Sequence, residues 1–260
     1  MASQEPIVRM EGIHKYFGPV RALQGVNLRL GRREVLGLVG DNGAGKSTLM
    51  KVLSGVYQPD QGQTYLEGQP VRFQSPRDSR AAGIEMVYQD LALAGNLDVA
   101  ANIFLGQEST RKQLGGIFHF LDHQGMIDDA TRLLKRLRID IRSVKYAVEN
   151  LSGGQRQAVA IARCMGFHAQ VVIMDEPTAA LAVKEVSKVL DLIRGLKEHD
   201  VSVILISHRM QDIFEVCDRI MVLRQGRKVG DLPHAETNMD EVVALITGAQ
   251  EMALPEKKVA

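Results

Sequence analysis

No apolar run in this sequence approaches the roughly 20 residues that span a bilayer; strand-like stretches such as VSVILIS are far shorter. The chain is therefore not expected to cross a membrane. Cysteine is scarce. Only Cys164 and Cys217 occur, each within an apolar helical pattern, which suits buried thiols in a reducing compartment and speaks against a disulfide framework or a cysteine metal site. Excess charge is missing as well: 32 basic and 31 acidic residues leave a formal charge of +1, so composition gives no reason to expect a nucleic-acid partner, local basic patches aside. The start, MASQEPIVRMEG, lacks a basic segment followed by an apolar run, and no secretory signal is expected. Internal repeats, coiled-coil heptads and low-complexity tracts are also absent, which removes solenoid, fibrous and disordered architectures.

What is there fits a globular body. The chain has 260 residues, 45% hydrophobic and 24% charged. That is enough for one large domain, or a core with a subdomain. Short apolar segments alternate with helical patterns: EVLGLVG then KSTLMKVLSG, QVVIMDE then VKEVSKVLDLIRGLKEH, VSVILIS then RMQDIFEVC. Near-continuous apolar strands each followed by a helix predict an α/β layer with a parallel sheet. Toward the start, IVRMEGIHKYF, RALQGVNLRL and QTYLEGQPVRF show the turn-bounded alternation of antiparallel strands. Between about residues 90 and 165 the strand signals fade, and DDATRLLKRLRI carries apolar residues at helical spacing, which predicts a helical subdomain inserted in the core. RIMVLRQGRKVG reads as a hairpin around Gln225-Gly226. The expected domain spans residues 5–248, with 249–260 as a flexible tail.

The chemistry starts at Gly40. GDNGAGKST matches G-x-x-x-x-G-K-[ST] and lies between an apolar strand and an apolar helix, as that phosphate-binding loop requires. Gly40, Gly43 and Gly45 let the backbone wrap phosphate oxygens, with Asp41, Asn42 and Ala44 completing the turn. Lys46 is expected on the β- and γ-phosphates, the Ser47 hydroxyl on Mg²⁺ and Thr48 near the α-phosphate. QVVIMDEP then ends an apolar strand in two carboxylates at the sheet edge where α/β proteins bind ligands. Asp175 is the candidate to hold Mg²⁺ and Glu176 the candidate general base, although a DE pair at a strand end also serves as a helix cap. Gln89 ends the strand-like GIEMVYQ and His208 ends VSVILIS, so each can reach the γ-phosphate side; Gln89 is thus a further candidate for the nucleotide and its metal. Singly, a Gln or His at such a place is more often structural.

GDNGAGKST, Gln89, LSGGQ, VVIMDEP and His208, in this order and spacing, resemble the nucleotide-binding subunit of ABC transporters over nearly the whole chain. LSGGQ is the diagnostic part, because generic P-loop enzymes lack it. The resemblance implies a RecA-like P-loop NTPase core with an antiparallel β subdomain and an inserted α-helical subdomain. It also implies an ATPase that uses ATP and Mg²⁺, with two copies packed head to tail so that each Ser-Gly-Gly loop closes over the partner's ATP. Ser152, Gly153, Gly154 and Gln155 would make that contact in trans; a local helix cap by Ser152 is the plainer alternative. The family's base-stacking aromatic matches Phe17 in KYFGPV, with Tyr16 as the rival.

Within the family, GDNGAGKSTLMKVLSGVYQPDQG, VRFQSPRDSRAAGIEMVYQ, NIFLG and MDEPTAAL resemble ATPases of bacterial importers for ribose, xylose and fructose. That implies permease subunits at the cytoplasmic face of the membrane, a periplasmic sugar-binding protein in the full complex and, since one set of motifs is present, a homodimer. One departure stands out: ABC proteins commonly place Leu-Asp after the general base, whereas Leu181 is followed here by Ala182, which removes a usual polar link between the two sites. An exporter subunit would carry the same engine. A chromosome or DNA-repair ATPase would need a long coiled coil between its phosphate loop and LSGG, and none fits. A small-molecule kinase would need an acceptor for the phosphate.

Overall fold

The computed structural model describes residues 5–113, 118–166 and 168–249. In chain order the strands are β1 (Val8–Phe17), β2 (Val20–Leu30), β3 (Val35–Gly40), β4 (Gln61–Leu66), β5 (Gln69–Val71), β6 (Ile84–Val87), β7 (Thr110–Gln113), β8 (Phe118–Leu121), β9 (Val171–Asp175), β10 (Ser202–Ile206), β11 (Arg219–Arg224) and β12 (Arg227–Pro233). The helices are α1 (Lys46–Leu53), α2 (Pro76–Ala81), α3 (Val99–Phe104), α4 (His123–Arg136), α5 (Gly153–Gly166), α6 (Val183–Gly195), α7 (Met210–Val216) and α8 (Met239–Thr247).

The central sheet runs β12-β11-β3-β10-β9-β6, with β11, β3, β10, β9 and β6 parallel and β12 added antiparallel at one edge. Its apolar runs are explained by burial on both faces. Val35, Val39, Val172, Met174, Val203 and Leu205 point into the core shared with α3 to α7. Their neighbours Leu36, Leu38, Val171, Ile173, Ile204 and Ile206 point into a second core with α1 and the antiparallel sheet. Each fully buried aliphatic side chain contributes about 1.5–3 kcal/mol of transfer free energy, so each apolar residue of such a strand stabilises one layer or the other.

A four-stranded antiparallel sheet, β2-β1-β4-β5, forms the expected β subdomain. Its β4–β5 turn and the β11–β12 turn both use two left-handed residues, Glu67-Gly68 (φ 49° and 78°) and Gln225-Gly226 (φ 48° and 76°). That is the turn whose twist matches a hairpin. Between residues 90 and 165 the helices α3, α4 and α5 are present, but β7 and β8 pair there as a hairpin that the fading strand signal did not anticipate. Two strands of four residues each leave only a short alternation to read. Residues 250–260 of the expected tail lie outside the described residues. Among the described residues no helix is long and apolar enough to cross a membrane.

Candidate active site

The loop between β3 and α1 is held by two turns from other parts of the chain. At Gly40 (φ 152°) a Cβ would fall 2.2 Å from the Leu223 carbonyl oxygen, and at Gly45 (φ 102°) 2.8 Å from that of Ala22. A Cβ on Gly226 would likewise meet the Ala22 oxygen at 2.7 Å. The Gly226 N–H donates to Ala44 O at 3.0 Å and the Gln24 N–H to Gly226 O at 2.8 Å. Backbone packed on backbone this tightly admits only glycine, and it fixes the amides around the head of α1. Lys46 is buried, its Nζ donating to Gly40 O at 2.7 Å and Asp41 O at 3.0 Å. Burial holds its pKa below the usual lysine value against the opposing pull of Glu176, Asp175 and Asp41.

A cleft of about 700 Å³ opens over this loop. Asn42, Gly43, Ala44, Gly45, Lys46, Ser47 and Thr48 line it together with Asp175, His208 and Phe17. Register explains why the carboxylate and the imidazole converge: in the parallel pair β9–β10 Asp175 sits opposite Ile206, so the residues that follow leave the sheet side by side. The Glu176 N–H donates to Ile206 O at 2.9 Å and the residue adopts φ 52°, a left-handed conformation rare for glutamate. Its Oε1 is buried, has no hydrogen-bond partner and lies 3.5 Å from His208 Nε2. Burial raises the pKa of both Asp175 and Glu176, with Lys46 opposing it most at the first and His208 at the second. Glu176 stands beside the cleft rather than on its wall.

The remaining candidates fall in three places. Phe17 lines the cleft, is 42% exposed and meets Tyr57 edge-on at 5.2 Å. Tyr16 does not line it; its hydroxyl bonds His14 Nδ1 at 2.9 Å and its N–H donates to Asp60. Gln89 is exposed in a bend two residues beyond the end of β6, since that strand stops at Val87 rather than running on to Gln89. It leaves from the same sheet edge as Asp175, because Val87 pairs with Met174, but it does not line the cleft.

The Ser-Gly-Gly loop is elsewhere. Ser152, Gly154 and Gln155 line a second cleft of about 500 Å³ between α4, α5 and α6, which shares no residue with the first. Ser152 and Gln155 cap α5 reciprocally: the Gln155 N–H donates to Ser152 Oγ at 3.3 Å and the Ser152 N–H to Gln155 Oε1 at 3.1 Å. The local cap is therefore real, and the loop also holds an anion. The Ser152 hydroxyl and the Gly154 N–H, close to the Glu185 carboxylate, keep its pKa below the ordinary value. A Cβ on Gly154 would fall 2.8 Å from that of Glu185, and one on Gly153 3.0 Å from Leu181 Cδ2. Ala182 precedes α6 in extended conformation and gives its first turn no side-chain cap, which an aspartate would supply.

Sequence reasoning missed two sets of residues. Val20, Arg21, Ala22, Gln24 and Gln225 also line the cleft, and only the turn signal at Gln225-Gly226 pointed there. Buried Asp212 accepts from the Thr178 hydroxyl and lies 3.3 Å from Arg209 Nε, joining the segment after Glu176 to the one after His208. No linear motif marks that junction. Among the described residues no group of three acidic, His or Cys side chains forms a ready metal cage. The hydroxyl of Ser47 and the carboxylate of Asp175 in one cleft do suit Mg²⁺ arriving with phosphates, because that ion takes only one or two protein ligands beside them.

Comparison with known proteins shows the family. Residues 23–179 match the ABC transporter family. A xylose/arabinose import ATP-binding protein of Sulfolobus acidocaldarius is 46% identical over 93% of this chain and 94% of its own. A fructose import ATP-binding protein of Rhizobium meliloti is 46% identical over 96% of each chain. Among solved structures, an ATP-binding cassette of an ABC transporter in its ADP conformation superposes with a TM-score of 0.79 at 25% identity, covering 94% of this chain and 96% of that one.

Proposed function

Because this chain belongs to the ABC transporter family, as an ATP-binding protein, we propose that it hydrolyses ATP to drive import of a simple sugar through a permease. The observation that carries the reading is the convergence of the glycine-walled loop, Lys46, Asp175 and His208 on one cleft, with Glu176 beside it.

In this reading the loop amides from Gly43 to Thr48 bind the phosphates, and Lys46 turns its ammonium from Gly40 O and Asp41 O to the β- and γ-phosphates. Ser47 and Asp175 would hold Mg²⁺, with Gln89 beyond the end of β6 as a further candidate ligand. The ion, when bound, supplies positive charge that offsets the charge on the transferring phosphate. Glu176 Oε1 takes the proton of the attacking water, a task suited to a carboxylate whose pKa burial has raised. His208 orients Glu176 and steadies the γ-phosphate. Phe17 offers its exposed ring to the adenine.

The position of Ser152 and Gly154 in a separate cleft supports a role on a second copy's nucleotide. Two copies would sandwich two ATP, the γ-phosphate displacing Glu185 from the loop, and the dimer would open once hydrolysis removes that phosphate. The pair would dock beneath a permease dimer at the cytoplasmic face of the membrane, with a periplasmic binding protein delivering the sugar. The decisive measurement is ATPase activity of the chain reconstituted with its permease: sugar-loaded binding protein should stimulate phosphate release without any acceptor. Phosphate release that ignores sugar, or that requires an acceptor, would count against import.

A further inference from the structure

Gln89 lies in a stretch without regular structure between β6 and α3, and the side chains that hold this stretch come from the helical part of the fold. Arg163 on α5 donates from Nη2 to Leu91 O and from Nη1 to Ala92 O, both at 3.0 Å. Ala92 itself sits at φ 48°, with its N–H on Asp90 Oδ1 at 3.3 Å. Further along, the buried Asn102 amide accepts from the Ala94 N–H at 2.8 Å and donates to the carbonyls of Ala94, Leu97 and Asp98 at 2.9, 3.2 and 3.0 Å. The nearest anchor to Gln89 from outside this stretch is therefore Arg163, whose first carbonyl partner, Leu91, is two residues along.

The geometry points to Arg163 as a positioning residue for Gln89, fixing the one reach of backbone from which that amide approaches the nucleotide. Its planar fork gives each of two successive carbonyls its own rigidly held donor, where a lysine would bring one flexible ammonium. Arg163 stands on the helix that begins at the Ser-Gly-Gly loop, so a shift of α5 is carried to the Gln89 segment of the same chain. The inference rests on the ATPase reading and adds to it a residue outside every motif. Arg163 has a competing structural task. Glu85 is buried beside Arg80 and Arg163; burial raises its pKa while these two charges oppose the rise, and Arg80 Nε lies 2.8 Å from its Oε1.

The test separates the two tasks. Arg163→Lys keeps a charge near Glu85 and loses the fork. It is expected to lower kcat about tenfold, the scale of a misplaced active-site group, with the KM for ATP and the thermal midpoint close to wild type. On a Gln89→Ala background the same change should cost nothing further, because the group it positions is gone. A normal kcat for Arg163→Lys, or an equal further loss on the Gln89→Ala background, overturns the proposal. Should Arg163→Lys fail to fold, the pair Glu85→Gln with Arg163→Gln removes both charges and still loses the fork; wild-type kcat in that variant also overturns it. A wild-type chain that releases no phosphate defeats the ATPase reading itself, and shows this before any variant is compared.

Discussion

Glu176 Oε1 and His208 Nε2 lie 3.5 Å apart at the ends of two adjacent parallel strands, and the carboxylate oxygen has no hydrogen-bond partner. A buried acceptor left open beside a phosphate loop is a group held ready for a proton that the substrate's water brings.

Replacing Glu176 by Gln should therefore reduce ATP hydrolysis by roughly 100-fold or more, the scale of a lost general base, while ATP binding persists. The wild-type rate should fall as pH drops through the raised pKa of Glu176, so that its acid limb lies above the ordinary carboxylate range. A pH–rate profile checks this: a residual activity in Glu176→Gln that keeps the same limb would assign the base to another group.

Gly45→Val places its side chain against the Ala22 carbonyl, and at φ 102° no relaxation of the side chain removes the clash. ATP binding, followed by fluorescence of a labelled nucleotide, should be lost. Lys46→Ala should lose it too but with the thermal midpoint retained or raised, since a buried and desolvated ammonium is removed.

If the Ser-Gly-Gly loop serves the partner's nucleotide, subunits carrying Lys46→Ala and subunits carrying Ser152→Arg, each inactive alone, should recover hydrolysis when mixed. The mixed pair contains one site with an intact phosphate loop and an intact opposing loop. Absence of recovery at concentrations where the two chains associate would place Ser152 on its own chain's nucleotide.

Arg219 on β11 ties β2, β12 and the turn before β3 together: it binds Glu34 Oε1 at 2.7 Å, Asp231 and the Arg29 carbonyl, and Lys228 adds a 3.0 Å bond to Asp231. Arg219→Ala leaves half-buried carboxylates short of a partner and should cost about 3 kcal/mol in urea unfolding. Burial alone would raise the pKa of Asp231, but Arg219 and Lys228 prevail and hold it below the usual value. A depressed folded-state pKa stabilises above the unfolded value and the gain is lost as pH falls through the folded one. The wild-type advantage over Arg219→Ala should thus shrink in acid.

Both thiols are buried, and burial pushes Cys164 up to about 12 and raises Cys217 further. Neither should react with a thiol reagent at neutral pH until the protein unfolds. Rapid labelling of the native chain would show that a core layer opens.

The expected α/β layer, the antiparallel sheet and the Gln225-Gly226 hairpin were all legible because their signals are local: doubly buried strands read as unbroken apolar runs and left-handed turns demand particular residues. The phosphate loop, Asp175 and Glu176 were legible for the same reason, each being a contiguous motif at a strand end. The end of β6 before Gln89 and the Asp212 junction were not, since each depends on partners distant in the chain; the β7–β8 hairpin is local, but strands of four residues leave too short an alternation to read.

By itself the sequence determined which groups this protein can bring to a phosphate, because glycines, a lysine and carboxylates at strand ends are fixed by local geometry. Only the tertiary structure decided which of them share a cleft. Sheet register sets Glu176 beside His208, backbone contacts from Ala22 and Gly226 wall the loop, and the packing of α5 against α6 turns Ser152 into a different cleft altogether. Distances between residues far apart in the chain are set by how layers pack, and no short stretch of sequence encodes that.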